Sequence, residues 1–394
     1  MTMLDDVQRP ALLAEMKADT PDLTKDYLRD IFQKEHGDRD KLKQDYTPDG
    51  LCQLLGRLVS QGAITADICA GTGALSIGVG GRSNLYCEEY SSRAIPFLLC
   101  NLALRNRRAV VVEGNSLTGE IKNCYELEAG TEFSSINILP NTKQVKADNV
   151  IMNPPYSMKW EPIEHPQYTS YGKMPKTADF PFVLHGLSLL KEGGTLLAIL
   201  PHGPLFRGQK EGDIRRELLK RNVIDAVIGI PEKLFMNTGI PVVILVLKNK
   251  RQRNDVLFID ATKDFTKQGK INILEPTHID KIAAAYKSRG EIKKFSHVAT
   301  MGEIEKNDFN LNIPRYVDTF EEEETEPLDQ CLCDLADIEK EIHNSELAFG
   351  KMINQLVGTT EQAQHELSSA LRVYKQHIMD KYGGRQMPVQ KSLF

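Results

Sequence analysis

The chain carries little that would suit it to the outside of a cell or to a membrane. Its seven cysteines are an odd number without short paired spacing, which argues against a disulfide framework and a zinc knuckle. They are expected to be reduced, buried thiols. The start MTMLDDVQRP puts acids where a secretory signal needs a basic region. No apolar run approaches the roughly 20 residues of a membrane span. A cytoplasmic protein with no membrane association is expected, and no metal site. A basic excess is missing too, since the net charge is −5, whereas a protein that grips nucleic acid unaided shows a basic face. The clusters KNKRQR (248–253) and RRELLKR (215–221) read as a solvated loop and a solvated helix face. What is present, 394 residues with 41% hydrophobic and 26% charged, suits a soluble globular chain of one large domain with appendages or two ordinary ones.

Residues 1–44 read as short, charged helices punctuated by Pro10 and Pro21, forming an N-terminal cap. From about 63 to 248, β-rich runs alternate with helix-length segments: AITADICA, NLYCEE, AVVVEG, NVIMNP, TLLAILP, VIDAVIGI and IPVVILVL. Such alternation requires crossover connections and a mainly parallel, doubly wound sheet with both faces covered. Only PEKLFMNTG separates the last two runs, too short for a crossover helix, so the final strand should return antiparallel. The expected fold is α/β, with the strand order of a methyltransferase-type Rossmann-like sheet. VLFIDATKDF adds a strand and turn, and helical segments run on to NDFNLNIPRYV (307–317). An acidic linker at 319–330 follows. Over 332–383, Leu335, Ile338, Ile342, Leu367, Leu371 and Ile378 recur at helical spacing, which predicts a long amphipathic helix or a helical hairpin broken near 358–360. Its apolar stripe must pack on its own domain or dock to a partner. The expected domains are 1–44, 45–318, the linker 319–330, and a helical tail 331–394.

ITADICAGTGALSIG places Gly71 and Gly73 in a tight turn between a strand and a helix. Glycines there let backbone amides approach a ligand at a helix N-terminus. Glu89 lies 18 residues beyond Gly71, at the end of the second strand, where a carboxylate can accept both hydroxyls of a ribose; Glu88 competes for that role. The third glycine of a dinucleotide fingerprint is absent, and no P-loop lysine follows, which argues against NAD and ATP. A nucleoside ligand without phosphates suits this pattern, and S-adenosylmethionine is one. Asp67 opens the turn and could meet the methionine ammonium, while Asn115 after the third strand could bond the adenine.

ADNVIMNPPYSMKW (147–160) runs a buried strand into two prolines, which cannot donate ladder hydrogen bonds and end it at once. If the sheet holds S-adenosylmethionine over its first strands, Asn153, Pro154, Pro155 and Tyr156 stand beside the methyl group. An exocyclic amine conjugated to a ring is a poor nucleophile. The Asn153 side-chain oxygen and the Pro154 carbonyl could accept its hydrogens and free its lone pair, with no titrating base. Tyr156 offers a face on which a flipped-out base could stack.

The order DICAGTG then NPPY resembles the amino-directed methyltransferases. DYTPDGL (45–51), GKMPKTADFPFVLHGLSLLKEGG (172–194), LPHGPLFRGQKEGDIRRELL (200–219), IDAVIGIPEKLFMNTGIPVVILVLK (224–248) and NDFNLNIPRYV (307–317) extend the resemblance to the modification subunit of type I restriction-modification systems, an adenine-specific DNA methyltransferase. It covers roughly 45–318. The resemblance implies that Tyr46, Thr47 and Pro48 form the cofactor-side segment before the glycine motif, and that Ala70, Gly71, Thr72 and Gly73 form the cofactor loop. It also implies that Glu89 is the ribose acid and that Asn153, Pro154, Pro155 and Tyr156 are the catalytic tetrapeptide, Asn153 reaching the cofactor as well. The implied partners are DNA, a specificity subunit that packs on the helical tail, a second copy of the chain and a restriction subunit. Three departures stand out: Ile68 where the family often has Pro, Asn115 where it often has Asp, and a helical N-terminal region of only 44 residues. Alternative readings are a protein-glutamine N5-methyltransferase and a non-catalytic structural subunit.

Overall fold

A computed structural model describes residues 8–20, 22–35, 47–60, 64–81, 83–140, 145–235, 239–319 and 327–382. They fall into two compact units, Met1–Phe320 and Glu321–Phe394.

The first unit opens with helices α1 (Gln8–Ala18), α2 (Tyr27–Glu35) and α3 (Asp49–Leu58). Strand β1 (Ile64–Ile68), helix α4 (Ala74–Gly78), β2 (Asn84–Glu89), α5 (Ile95–Leu104) and β3 (Ala109–Asn115) follow. Here the expected alternation breaks. An antiparallel pair, β4 (Glu120–Ala129) and β5 (Ser134–Leu139), occupies the place of a crossover helix before β6 (Ala147–Met152). Helices α6 (Pro166–Thr169) and α7 (Asp179–Leu189) lead to β7 (Leu190–Pro201), and α8 (Gly203–Phe206) and α9 (Gln209–Lys220) lead to β8 (Ile224–Gly229). Strand β9 (Val242–Lys248) returns antiparallel between β7 and β8, as the short connection requires. Beyond it come β10 (Asp255–Asp260), the small pair β11 (Thr266–Gln268) and β12 (Ile271–Ile273), then α10 (Pro276–Ser288), β13 (Ser296–Thr300) and α11 (Met301–Lys306). The segment expected to be wholly helical after β10 thus contributes a further antiparallel edge strand, β13.

The main sheet has eleven strands in the order β13, β10, β8, β9, β7, β6, β1, β2, β3, β4, β5. Alternation along the strands fills both faces. Val150 and Met152 pack on the side of α7, with Phe180, Val183 and Leu184, while Ile151 packs on the other side with Leu51, Leu54 and Leu55 of α3. Each such fully buried aliphatic side chain contributes about 1.5–3 kcal/mol relative to exposure. Because β1 lies between β2 and β6, the chain leaves β1 in one direction and comes back on its other flank. A crevice therefore opens at the carboxyl ends of β1 and β6, where α/β sheets bind ligands.

The N-terminal helices are more than a charged cap. Leu13 and Phe32 are buried, Phe32 meets Phe97 of α5 edge to face at 5.0 Å, and Arg105 Nε donates to the Leu23 carbonyl at 2.7 Å. The two basic clusters are only partly solvated. Arg215 is buried, and its guanidinium donates to the carbonyls of Phe309, Pro204 and Arg207 at 2.7–2.9 Å. The Arg251 side chain is 3% exposed and pairs with Asp225 and Asp255. These arginines are consumed in holding loops and strands together. None of the seven cysteines is in a disulfide, but Cys331 and Cys333 are exposed, against the expectation that every thiol would be buried.

In the second unit, α12 (Leu328–Asn354) and α13 (Glu361–Tyr382) are joined by a break at 355–360. Phe349 meets Tyr374 at 5.3 Å, Tyr374 Oη donates to the Glu346 carbonyl at 2.6 Å, and Lys381 pairs with Glu346. Leu332, Leu335, Ile338 and Val373 each remain more than half exposed. Among the described residues no helix is long and apolar enough to cross a membrane, and no cluster of His, Cys, Asp or Glu could hold a metal ion.

Candidate active site

Register brings the motifs together. In the parallel pairing Ile68 lies opposite Glu88 on one side and Met152 on the other, so the turn that begins at Cys69 leaves the sheet beside both Glu89 and Asn153. The turn is sharp. Cys69, Gly71 and Gly73 have φ of 62°, 57° and 95°, and a β-carbon on Gly73 would stand 2.8 Å from Leu98 Cδ1. Glycine is needed there for conformation and for space.

Glu89 shapes this turn. Its Oε2 accepts from Gly71 N at 2.8 Å and its Oε1 from Ser91 N at 2.7 Å. Burial pushes its carboxyl above the usual range, and those N–H groups act the other way. Glu88, its competitor, meets His185 Nε2 at 2.8 Å; burial raises its carboxyl, but the His185 ring and neighbouring hydroxyls outweigh that and leave it lowered. Adjacent positions on a strand point to opposite faces, so the two acids have separate partners.

Thr47, Ala70, Gly71, Glu89, Asn115, Asn153, Pro154, Pro155 and Tyr156 line one cleft of about 560 Å³. Asn115 sits at the end of β3, where its Oδ1 accepts from Leu117 N at 3.0 Å. Four residues of the expected site are elsewhere. Pro48 caps α3. Thr72 and Gly73 face inward, Thr72 Oγ1 donating to Asp26 at 2.6 Å. Asp67 is fully buried under α4, accepting from Ser76 Oγ at 2.6 Å, with its other oxygen unpartnered among the described residues. With no solvent to stabilise its charge, its pKa is pushed up to about 7. Tyr46 lies outside the described residues.

At the Asn-Pro-Pro-Tyr corner the carboxamide has a defined direction. Asn153 Nδ2 donates to Thr47 Oγ1 at 3.0 Å, and Tyr156 Oη donates to Asn153 Oδ1 at 2.7 Å. The Tyr156 ring stands edge-on to Phe235 at 6.1 Å. Just beyond, Ser157 takes a left-handed φ of 50°, held by the buried Asp179, whose Oδ1 accepts from Ser157 N at 2.8 Å. This clamp stops the corner from relaxing. Trp160, Met158 and Phe182 complete an apolar wall. Trp160 and Met158 follow the tetrapeptide closely enough to have been sought from the sequence; Phe182, Asp26 and Asp179 carry no local signal. The arrangement offers a backbone turn open to a ligand, a buried acid, a rigid acceptor pair and a flat apolar wall, which can hold a nucleoside beside an amine.

Known proteins share this arrangement of elements. Residues 27–325 match the model of the N-6 DNA Methylase family. The type I restriction enzyme MpnII methylase subunit of Mycoplasma pneumoniae is 30% identical over 72% of this chain and 54% of its own. The MjaVII methylase subunit of Methanocaldococcus jannaschii is 30% identical over 75% and 53%. The chain therefore spans about half the length of these curated relatives. A solved type I restriction-modification methyltransferase subunit from Streptococcus thermophilus superposes with a TM-score of 0.61 and 36% identity, over 70% of this chain and 59% of that one. A modification subunit of a type I restriction enzyme from Vibrio vulnificus, 18% identical, shares the fold with a TM-score of 0.54, over 73% of this chain and 63% of that one. With the family model spanning the sheet, the glycine turn and the Asn-Pro-Pro-Tyr corner, the chain belongs to the N-6 DNA methylase family.

Proposed function

We propose that this protein transfers a methyl group from S-adenosylmethionine to the N6 amine of adenine in DNA, as the modification subunit of a type I restriction-modification complex. The observation that carries this reading is the cleft shared by the glycine turn, Glu89 and the Asn153–Tyr156 corner. When bound, S-adenosylmethionine supplies an electrophilic methyl on a sulfonium. Gly71 and Ala70 let the backbone approach the nucleoside, Glu89 accepts from its ribose, and Asn115 bonds its base edge. Thr47 closes the far side. Family membership and a glycine turn without the third glycine of a dinucleotide fingerprint support this cofactor over a dinucleotide.

The substrate amine is addressed by Asn153 and Pro154. Their oxygens accept its two hydrogens, which draws the nitrogen toward tetrahedral geometry and localises its lone pair. Rigidity aids this, since acceptors already in place need no reorganisation during the reaction. Thr47 holds the nitrogen end of the carboxamide away from the amine, which would otherwise be repelled by a second donor. Tyr156 gives up its hydroxyl contact with Asn153 as the base arrives and presents its ring for stacking. The amine proton passes to water after transfer.

A net charge of −5 leaves the phosphate contacts that dominate DNA affinity to another subunit. The exposed apolar positions along α12 suit docking to helices of a specificity subunit, within a complex holding two copies of this chain and, where present, a restriction subunit. Radiolabelled methyl transfer to DNA, with identification of the methylated base and with and without the specificity subunit, tests the reading. Label on adenine N6 that depends on the partner is expected; label on protein glutamine would overturn it.

A further inference from the structure

The N-terminal segment reaches both halves of the cleft. Asp26, which precedes α2, is 3% exposed. Its Oδ1 accepts from Arg29 N at 3.0 Å, an N-cap contact, and also from Asn101 Nδ2 at 2.7 Å. Capping requires no more than this oxygen. Its Oδ2 instead accepts from Thr72 Oγ1 at 2.6 Å, between the two glycines of the turn. Asn101 Nδ2 also donates to the Thr72 carbonyl at 2.8 Å, so this residue is held at both ends. A carboxylate buried this deeply is costly unless fully bonded, and its donors come from α2, α5 and the glycine turn together.

One turn along, Arg29 carries the connection onward. Its side chain is 14% exposed, and Nη1 donates to the Thr47 carbonyl at 2.9 Å and to Asp49 Oδ1 at 2.7 Å. Thr47, 5% exposed, is thereby fixed at its backbone, and its hydroxyl accepts from Asn153 Nδ2. A hydrogen-bonded path therefore runs from Thr72 through Asp26, the first turn of α2, Arg29 and Thr47 to Asn153 and Tyr156. Docking a short surface helix would need apolar contacts such as Phe32 on Phe97. It would not need a buried acid on the ligand turn or a guanidinium behind the catalytic carboxamide.

We infer that Asp26 and Arg29 are positioning residues: Asp26 sets the cofactor turn through Thr72, and Arg29 sets the direction of the Asn153 carboxamide through Thr47. The inference rests on the proposed methyl transfer. Its physical core is the near-symmetry of a carboxamide. Once Tyr156 turns to the base, the contact from Thr47 still marks the nitrogen end from the oxygen end. A loosened Thr47 lets the group rotate and present N–H where an acceptor is needed.

The test uses the full chain assembled with whichever subunits give the wild type methyl transfer to adenine. Arg29→Gln, Thr47→Val, their double variant, Thr47→Ser and Thr72→Val are compared for kcat, for S-adenosylmethionine affinity by calorimetry and for melting temperature. Arg29→Gln and Thr47→Val should each lower kcat about 10- to 100-fold, the scale of a misplaced catalytic group, and Arg29→Gln, which does not line the cleft, should leave cofactor affinity unchanged. The double variant should be no worse than Thr47→Val alone, because both act on one carboxamide, and Thr47→Ser should restore turnover. Thr72→Val should do the reverse and weaken cofactor binding by a larger factor than it lowers kcat at saturation. Multiplicative losses in the double variant, or a parallel fall of kcat, affinity and melting temperature in Arg29→Gln, would overturn the inference and leave the functional reading standing. A wild type that methylates no adenine overturns the reading, and the inference falls with it.

Discussion

The Gly71 N–H donates to Glu89 Oε2 at 2.8 Å, so the acid proposed for the ribose also holds the glycine turn in place. Site shape and site chemistry share one carboxylate. Glu89→Gln replaces one acceptor oxygen with a donor, which must face either the Gly71 or the Ser91 N–H. Stranding a buried donor costs about 1–3 kcal/mol. Both a lower melting temperature and weaker S-adenosylmethionine binding should follow, read by calorimetry and thermal melting. Unchanged binding would remove Glu89 from the site.

Asn153→Ala should lower methyl transfer by at least about 10²–10³-fold, the usual cost of losing one preorganised group facing developing charge, and by far more than it weakens cofactor binding. Incorporation of labelled methyl under single-turnover conditions measures it. Wild-type turnover in this variant would end the proposed mechanism.

Tyr156 separates ring from hydroxyl. Tyr156→Ala should weaken capture of the target base by about 1–3 kcal/mol if stacking dominates. Tyr156→Phe keeps the ring and removes a hydroxyl that, before DNA binds, occupies the Asn153 oxygen, so its transfer rate should match or exceed that of the wild type. A loss in Tyr156→Phe as large as in Tyr156→Ala would assign the work to the hydroxyl.

Asp67 makes stability depend on pH in a stated direction. Burial raises its pKa from 3.8 to about 7, so the folded state holds the proton more tightly than the unfolded chain. Its favourable contribution is whole below pH 3.8 and is lost as pH rises to about 7. Asp67→Asn should therefore raise the melting temperature of the ligand-free protein at pH 7, with the gain shrinking as pH approaches 4. The differential in melting temperature between the variants across that range is the measurement, and a gain that grows toward acid would contradict it.

Removing residues 330–394 deletes nearly all of the second unit and none of the sheet. Assembly with a specificity subunit, followed by size-exclusion chromatography with light scattering, should be lost, while S-adenosylmethionine binding survives. If the truncated chain cannot fold, the helical hairpin serves its own protein's stability and not a partner.

Much of the site was legible because its parts are local. Two prolines end a strand wherever they occur, and a glycine pair after a strand makes a turn with φ above zero, so the corner and the glycine turn followed from backbone restriction. The alternation of strands and helices further dictated the parallel sheet, and the short connection before β9 dictated its reversal. The β4–β5 pair escaped because it extends the sheet beyond β3 and buries few positions, leaving Ile121 and Ile138 exposed and the apolar period weak. Which of two adjacent acids faces the glycine turn, and that Asp67 turns beneath α4, depend on how helices seat on the sheet. Thr47 meets Asn153 across 106 positions and Asp26 meets Thr72 across 46. Those contacts depend on the docking of α2 and α3, and no spacing along the chain encodes a hydrogen bond between elements that only packing brings together.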